Sequence, residues 1–202
     1  MTSKFFLQNN EKFFLRPLEL ADVEKALALC DACVGKNLYT KEEIEESIDS
    51  KERFFYLLET ETGNCAGYIY FYVTEKDSIA DYAKLDTKLF DFVCPDTEKK
   101  VGKIQSIGIM EEYRGSHFAG KLLRFALEKL KNTGIATAFI VCWKKGQVVP
   151  LESALKECSF EFLSVAHKVW YDYTELQCPY CGGRCKCDAK VYYKKLNRGR
   201  LK

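Results

Sequence analysis

The chain has 202 residues, 47% of them hydrophobic and 14% aromatic, which suits a single domain with a substantial core. The net charge of +2 names no partner, but it is unevenly spread: Cys178 to Lys202 carries +7 and the preceding residues −5. No run reaches the ~18 apolar residues of a membrane helix and the first apolar stretch is too short for a secretory signal, so ten cysteines point to reduced thiols or metal ligands in the cytoplasm.

In chain order, Phe13 to Leu18 reads as a first strand. A helix follows with Val23, Ala26, Leu27 and Cys30 on one face. Thr40-Lys-Glu-Glu43 has the form of a capping box, predicting a second helix to about Ser50. Phe54–Glu59 and Ala66–Thr74 form a hairpin about Glu61–Asn64. Residues 75–100 are polar, with a short helix expected near Ala80 to Phe90, and Tyr82, Phe90, Phe92 and Cys94 are candidates to shape a substrate pocket. An apolar run through Ile104, Ile107 and Ile109 then feeds a turn, Tyr113-Arg-Gly-Ser-His-Phe-Ala-Gly-Lys121. A helix leaves it and ends at Asn132-Thr-Gly134. Ile135 to Trp143 is a buried strand, and Pro150 opens a helix carrying Leu151, Ala154, Leu155 and Cys158. Phe160–Tyr173 and Val191–Leu196 are strands, the last an edge strand, with the cysteine cluster between them. Hairpins mixed with helical crossovers imply an α/β (α+β) fold: a mixed sheet with helices on both faces, in one domain over residues 1–202.

The turn after Ile109 suits an anion, because small residues let backbone approach a ligand and a helix N-terminus offers free N–H groups. Gly115-x-x-x-x-Gly120-Lys121 matches a phosphate-binding P-loop up to its last position. There Leu122 replaces the Ser or Thr that would hold Mg²⁺, which argues against nucleotide hydrolysis.

The segment Ile107-Gly-Ile-Met-Glu-Glu-Tyr-Arg114-Gly-Ser-His-Phe-Ala119 resembles the GNAT-type N-acetyltransferase superfamily, whose motif is Gln/Arg-x-x-Gly-x-Gly/Ala. Leu15-Arg-Pro-Leu-Glu-Leu-Ala-Asp22 and Lys156-Glu-Cys-Ser-Phe160 resemble that family too, over about residues 12–175. The motif's usual fourth-position glycine is His117 here. The resemblance implies a mostly antiparallel sheet in which the strand ending at Ile109 splays from a parallel neighbour. Acetyl-CoA would lie in the gap, held by Ile107, Ile109, Met110, Arg114, Gly115, Ser116, His117, Phe118, Ala119 and Gly120. It would donate its acetyl group to a primary amine in a ternary complex, with an N–H near Ile109 polarising the thioester. The family's usual acid, a tyrosine, aligns with Leu155, and its usual asparagine with Val148, so the catalytic residues stay unassigned. Tyr171, Tyr173 and Cys158 are candidate acids, Glu111 and Glu112 candidate bases. His167 reads as a surface or packed residue.

Cys178-Pro-Tyr-Cys181-Gly-Gly-Arg-Cys185-Lys-Cys187 packs four thiols into ten residues. Cys-x-x-Cys-Gly is a metal knuckle, and the four sulfurs could close a structural Zn²⁺ site within a hairpin over 177–190, with Arg184 and Lys186 offsetting its charge. Iron–sulfur, Cu(I) and unligated thiols are the rivals. Cys30, Cys33, Cys65, Cys94, Cys142 and Cys158 read as small core residues. Two other functions compete with acetyl transfer: a non-catalytic acyl-CoA sensor, and a zinc-knuckle module whose basic tail binds nucleic acid or an acidic protein, although the tail lacks a base-reading element. The protein is expected to be a monomer or homodimer.

Overall fold

The structure is a computed structural model that describes residues 4–8, 11–95 and 98–196. Its strands are β1 (Lys4–Gln8), β2 (Glu11–Pro17), β3 (Arg53–Thr60), β4 (Cys65–Glu75), β5 (Lys100–Ile109), β6 (Thr137–Lys144), β7 (Glu161–Ala166) and β8 (Asp188–Lys195). Its helices are α1 (Val23–Cys33), α2 (Lys41–Glu45), α3 (Lys76–Ala83), α4 (Thr87–Asp91), α5 (Phe118–Asn132) and α6 (Glu152–Glu157). The strands form one sheet in the order β1-β2-β3-β4-β5-β6-β8-β7, antiparallel except for the parallel pair β5–β6.

Side-chain alternation assigns each face of this sheet to its helices. On β6, Ala138, Ile140 and Cys142 join Leu122, Leu123, Ala126 and Leu130 of α5 in one core. Phe139 and Val141 face the other way, against Ile79, Ala80 and Ala83 of α3 and Phe90 of α4. Phe55, Leu57, Tyr68 and Tyr70 of the central hairpin pack on Val23, Ala26 and Cys30 of α1 and Ile44 of α2. The residues between β4 and β5, polar on average, thus form two helices with their own buried face. Lys84 in the left-handed region ends the first, and Asp86 caps the second by accepting from the Lys88 N–H.

Four expectations need correction. The first strand precedes Phe13: β1 pairs along all five of its residues with β2. The Thr40 capping box forms as expected, with Glu43 bonding back to the Thr40 N–H, but α2 stops at Glu45 and turns follow to Asp49. β7 ends at Ala166, so His167 lies beyond it, exposed and 3.1 Å from Asp188. β8 is an interior strand between β6 and β7, because its Val191 and Tyr192 each supply one side of the core; β7 forms the edge. Of the basic tail, Arg198, Arg200 and Lys202 lie outside the described residues.

Candidate functional site

The parallel ladder between β5 and β6 lasts for only three pairs, Gly102–Ala138, Lys103–Phe139 and Ile104–Ile140. The next residue, Gln105, is the extra residue of a bulge: Tyr70 pairs with Ser106 and Phe71 with Ile104. A bulge bends its strand and sharpens the local twist. β5 therefore turns away from β6 at this point and a cleft of about 500 Å³ opens between them. One wall is β5 from Gln105 to Ile109, the other β6 from Ile140 to Trp143, and the base is the turn from Tyr113 to Gly120. The backbone of Gln105 to Ile109 on this side has no strand partner, and Trp143 Nε1 is a buried donor without a hydrogen bond. Such groups call for a polar ligand or water.

At the base, Gly115 (φ +78°) and His117 (φ +56°) both adopt left-handed backbone around Ser116. His117 is the N-cap of α5 but caps nothing with its side chain, and the first turn of α5 contains no acid. The N–H groups of Phe118, Ala119 and Gly120 precede the first intrahelical bond, Lys121 N–H to the His117 carbonyl. A positive helix end thus opens into the cleft. The residue opposite Gly120 is Glu157, whose carboxylate is neutralised by Arg124 at 2.7 Å. Arg124 holds the Glu157 carboxyl below its usual range. A cleft with an unpaired strand edge along one side and an anion cradle at one end fits an extended ligand that has amides and a phosphate group, as coenzyme A does.

The model of the acetyltransferase (GNAT) family matches residues 21–147, more than half of the sequence. The chain belongs to the GNAT acetyltransferase family. No curated protein matches it. Among solved structures it is similar to Chaetomium thermophilum Naa20 in complex with a bisubstrate analogue, with 14% identity, 91% of this chain and 87% of the other covered, and a TM-score of 0.66. It is also similar to the ribosomal-protein-S18-alanine N-acetyltransferase from Escherichia coli (12% identity, 94% and 97% covered, TM-score 0.62). A third is the spermidine/spermine N-acetyltransferase SpeG from Vibrio cholerae (14% identity, 92% and 95% covered, TM-score 0.59).

The GNAT cleft collects Ile107, Ile109 and every residue from Arg114 to Gly120. Met110 stands apart: its N–H donates to the Ala66 carbonyl, extending the β4 pairing. Arg114 turns its Nε to the Ile109 carbonyl at 3.1 Å. Leu155 is fully packed in the α5–α6 core and Val148 is exposed in a turn. Of the candidate acids, Tyr171 is covered by the Arg184 guanidinium, Tyr173 lies outside the cleft lining, and Cys158 is buried with its thiol on the Gly120 carbonyl at 3.6 Å. Burial, the largest influence on it, pushes the Cys158 thiol up. Glu111 and Glu112 are exposed and outside the lining.

The tyrosines that do line the cleft are Tyr82, Tyr113 and Tyr180. Tyr82 alone of the four candidates between β4 and β5 reaches it; Phe90 packs on Phe139, Phe92 is 89% exposed and Cys94 is buried. Burial pushes the Tyr82 phenol up, and its oxygen accepts from Trp170 Nε1 at 2.7 Å. Behind the bulge, Tyr39 and Ser106 share a buried hydrogen bond of 2.7 Å. Cys33 also lines the cleft, and burial raises its thiol to about 11. Sequence patterning missed Tyr180, Trp143 and Cys33. The first sits between two cysteines that absorb attention, and the other two read as core.

All ten cysteines are free. Cys178, Cys181, Cys185 and Cys187 come together as a group that could hold a metal ion, with all four sulfurs within 4.8 Å of one another. Arg184 is committed elsewhere, donating to the Tyr171 carbonyl at 2.7 Å, whereas the Lys186 N–H bonds Cys181 Sγ at 3.4 Å. That N–H is the main reason the Cys181 thiol is lowered. Among the described residues no helix is long and apolar enough to cross a membrane.

Proposed function

We propose that the protein transfers an acetyl group from acetyl-CoA to a primary amine by direct attack within a ternary complex. The observation that carries this is the early end of the β5–β6 ladder directly above an uncapped helix N-terminus. Strand-edge amides and anion donors then face one cleft. Bound acetyl-CoA supplies a thioester, an acyl donor activated towards amines.

In this reading the β5 backbone from Gln105 to Gly108 that has no partner on β6 pairs with the pantetheine amides. The N–H groups of Phe118 to Gly120 hold the pyrophosphate. A β5 N–H beside the bulge stabilises negative charge on the thioester oxygen, and fixed orientation of both substrates lowers the barrier by several kcal/mol. Among the described lining residues the only carboxylate is Glu157, at the phosphate end. The amine therefore loses its proton to water relayed past Gln105, Ser106 and Tyr82 rather than to an enzyme carboxylate; as the C–N bond forms the C–S bond breaks, and the coenzyme A thiolate takes up a proton from the same water to leave as free thiol. The four cysteines serve structure, with Zn²⁺ as their ion, and take no part in transfer.

Calorimetric titration with acetyl-CoA, followed by free-thiol release across a panel of polyamines, amino acids and peptide N-termini, tests the proposal. Binding plus amine-dependent thiol release is expected. The absence of acetyl-CoA binding by folded protein would overturn it. Binding without release on any amine would favour an acyl-CoA sensor, the reading that the apolar Leu155 supports.

A further inference from the structure

We infer that Cys178, Cys181, Cys185 and Cys187 bind one zinc ion, and that this ion clamps Pro179 and Tyr180 in place as a wall of the cleft, so that metal loading sets the cleft's shape. Four thiolates with no open position make a closed, structural zinc site. A tetrahedron of ~2.3 Å Zn–S bonds has sulfur–sulfur edges of about 3.8 Å. Cys178 and Cys187 sulfurs stand 3.8 Å apart, and Cys181 and Cys187 sulfurs 3.5 Å apart. A single ion fits this spacing; a cluster of several irons and sulfides needs its cysteines further apart.

The backbone is built for the same purpose. The Cys178 N–H donates to the Gly183 carbonyl and the Gly182 N–H to the Cys178 carbonyl, both at 3.0 Å, with Gly182 at φ +67°. This turn brings both knuckle sulfurs to one side. Lys186 adds an N–H···S bond to Cys181, which supports a thiolate.

The link to the cleft is covalent. Pro179 and Tyr180 are the two residues between the first pair of ligands, and both line the cleft. Tyr180 meets Trp143 of β6 edge-on, with ring centres 6.4 Å apart. Next to the knuckle, the Gln177 N–H bonds the Lys36 carbonyl at 2.9 Å, and Pro179 abuts Gly35. The same clamp therefore fixes the loop after α1, beside Cys33 and Val34 of the opposite wall. Residues 167–187 contain no helix or regular strand. Their order depends on cross-links, and a metal that closes such a loop supplies one.

Zinc and the wall stand on these contacts alone; which substrate meets Tyr180 rests on the acetyltransferase reading. The test uses the full chain. Elemental analysis should find one zinc per chain, and cobalt exchanged into the site should give the visible absorption of tetrahedral tetrathiolate coordination. Trp143 and Trp170 are the chain's two tryptophans; their ring centres lie 4.6 Å apart at a tilt, and Trp143 meets Tyr180. Chelation should shift their emission to longer wavelength while far-ultraviolet dichroism holds, and added Zn²⁺ should restore it. Tyr180→Ala should keep its zinc and show a smaller chelation-dependent shift. Zinc well below one equivalent, with or without another metal, overturns the site. Unchanged tryptophan emission after complete, non-denaturing removal of the ion overturns the clamp. Cys181→Ser provides the same readings where chelation is incomplete. A zinc-loaded, folded protein that ignores acetyl-CoA would refute the acetyltransferase reading while leaving the zinc clamp intact.

Discussion

Lys103 offers the sharpest energetic test of this structure. It is the middle residue of the short β5–β6 ladder and is 3% exposed. Among the described residues its ammonium has no hydrogen bond or ion pair. Its ammonium rests on the face of Tyr82, 3.1 Å from the ring centre, with Tyr72 at 5.6 Å. Burial pushes it from the ordinary 10.5 to about 7. That fall corresponds to about 5 kcal/mol of lost favour for the charged form. Lys103→Met keeps the length of the side chain and removes the charge; because the folded residue is half protonated at pH 7, it should stabilise the protein by about 4 kcal/mol there. Between pH 7 and 10.5 the unfolded chain holds the proton and the folded protein does not. Wild-type stability should therefore rise relative to the variant across that window, and most of the gap should be gone at pH 10.5. Urea unfolding of both proteins from pH 6 to 10.5 measures the difference, in which the titration of other groups cancels. A gap that does not change with pH, or a variant less stable than wild type at pH 7, would refute the reasoning.

Two further outcomes follow from local geometry. His117 sits at φ +56°, where a non-glycine backbone costs about 1–2 kcal/mol. At this N-cap, where glycine is already preferred to alanine, His117→Gly should be more stable than His117→Ala by about 1 kcal/mol or more, as thermal denaturation would reveal; equal stabilities would deny the strain. Arg16 bridges Asp22 and Glu59, each at 2.6 Å. The Arg16 bond holds Asp22 below the usual carboxylate range, and at Glu59 the Arg16 and Lys25 bonds outweigh a burial effect of the opposite sign. Arg16→Ala should cost about 3 kcal/mol at pH 7, and that cost should shrink as pH falls through the acidic range and the two carboxylates become protonated. Denaturant midpoints at pH 7 and pH 3 would check this, and an undiminished cost at pH 3 would count against the ion pairs.

Local signals sufficed for much of this protein. Aromatic alternation and a tight turn specified the β3–β4 hairpin, the Thr40 box specified the start of α2, and the pattern from Leu122 to Leu130 specified the face of α5. Period and capping are properties of neighbouring residues, so they can be read without a fold. The element order, with the segment from Ile107 to Ala119, was enough to point to the family. What lay beyond the sequence depended on which strands meet. Nothing local says that β8 inserts between β6 and β7, because burial on both faces comes from partners more than twenty residues away. Nothing marks Gln105 as a bulge, since the extra residue exists only relative to β4. That bulge ends the parallel ladder and makes the cleft. The four cysteines were conspicuous as ligands from their spacing alone, but only the folded chain brings the Pro179-Tyr180 pair between them to the wall of a cleft formed by β5, β6 and α5. Sequence determined the turn from Arg114 to Gly120 and the cysteine knuckle as separate objects; long-range strand pairing decided that they line one cleft.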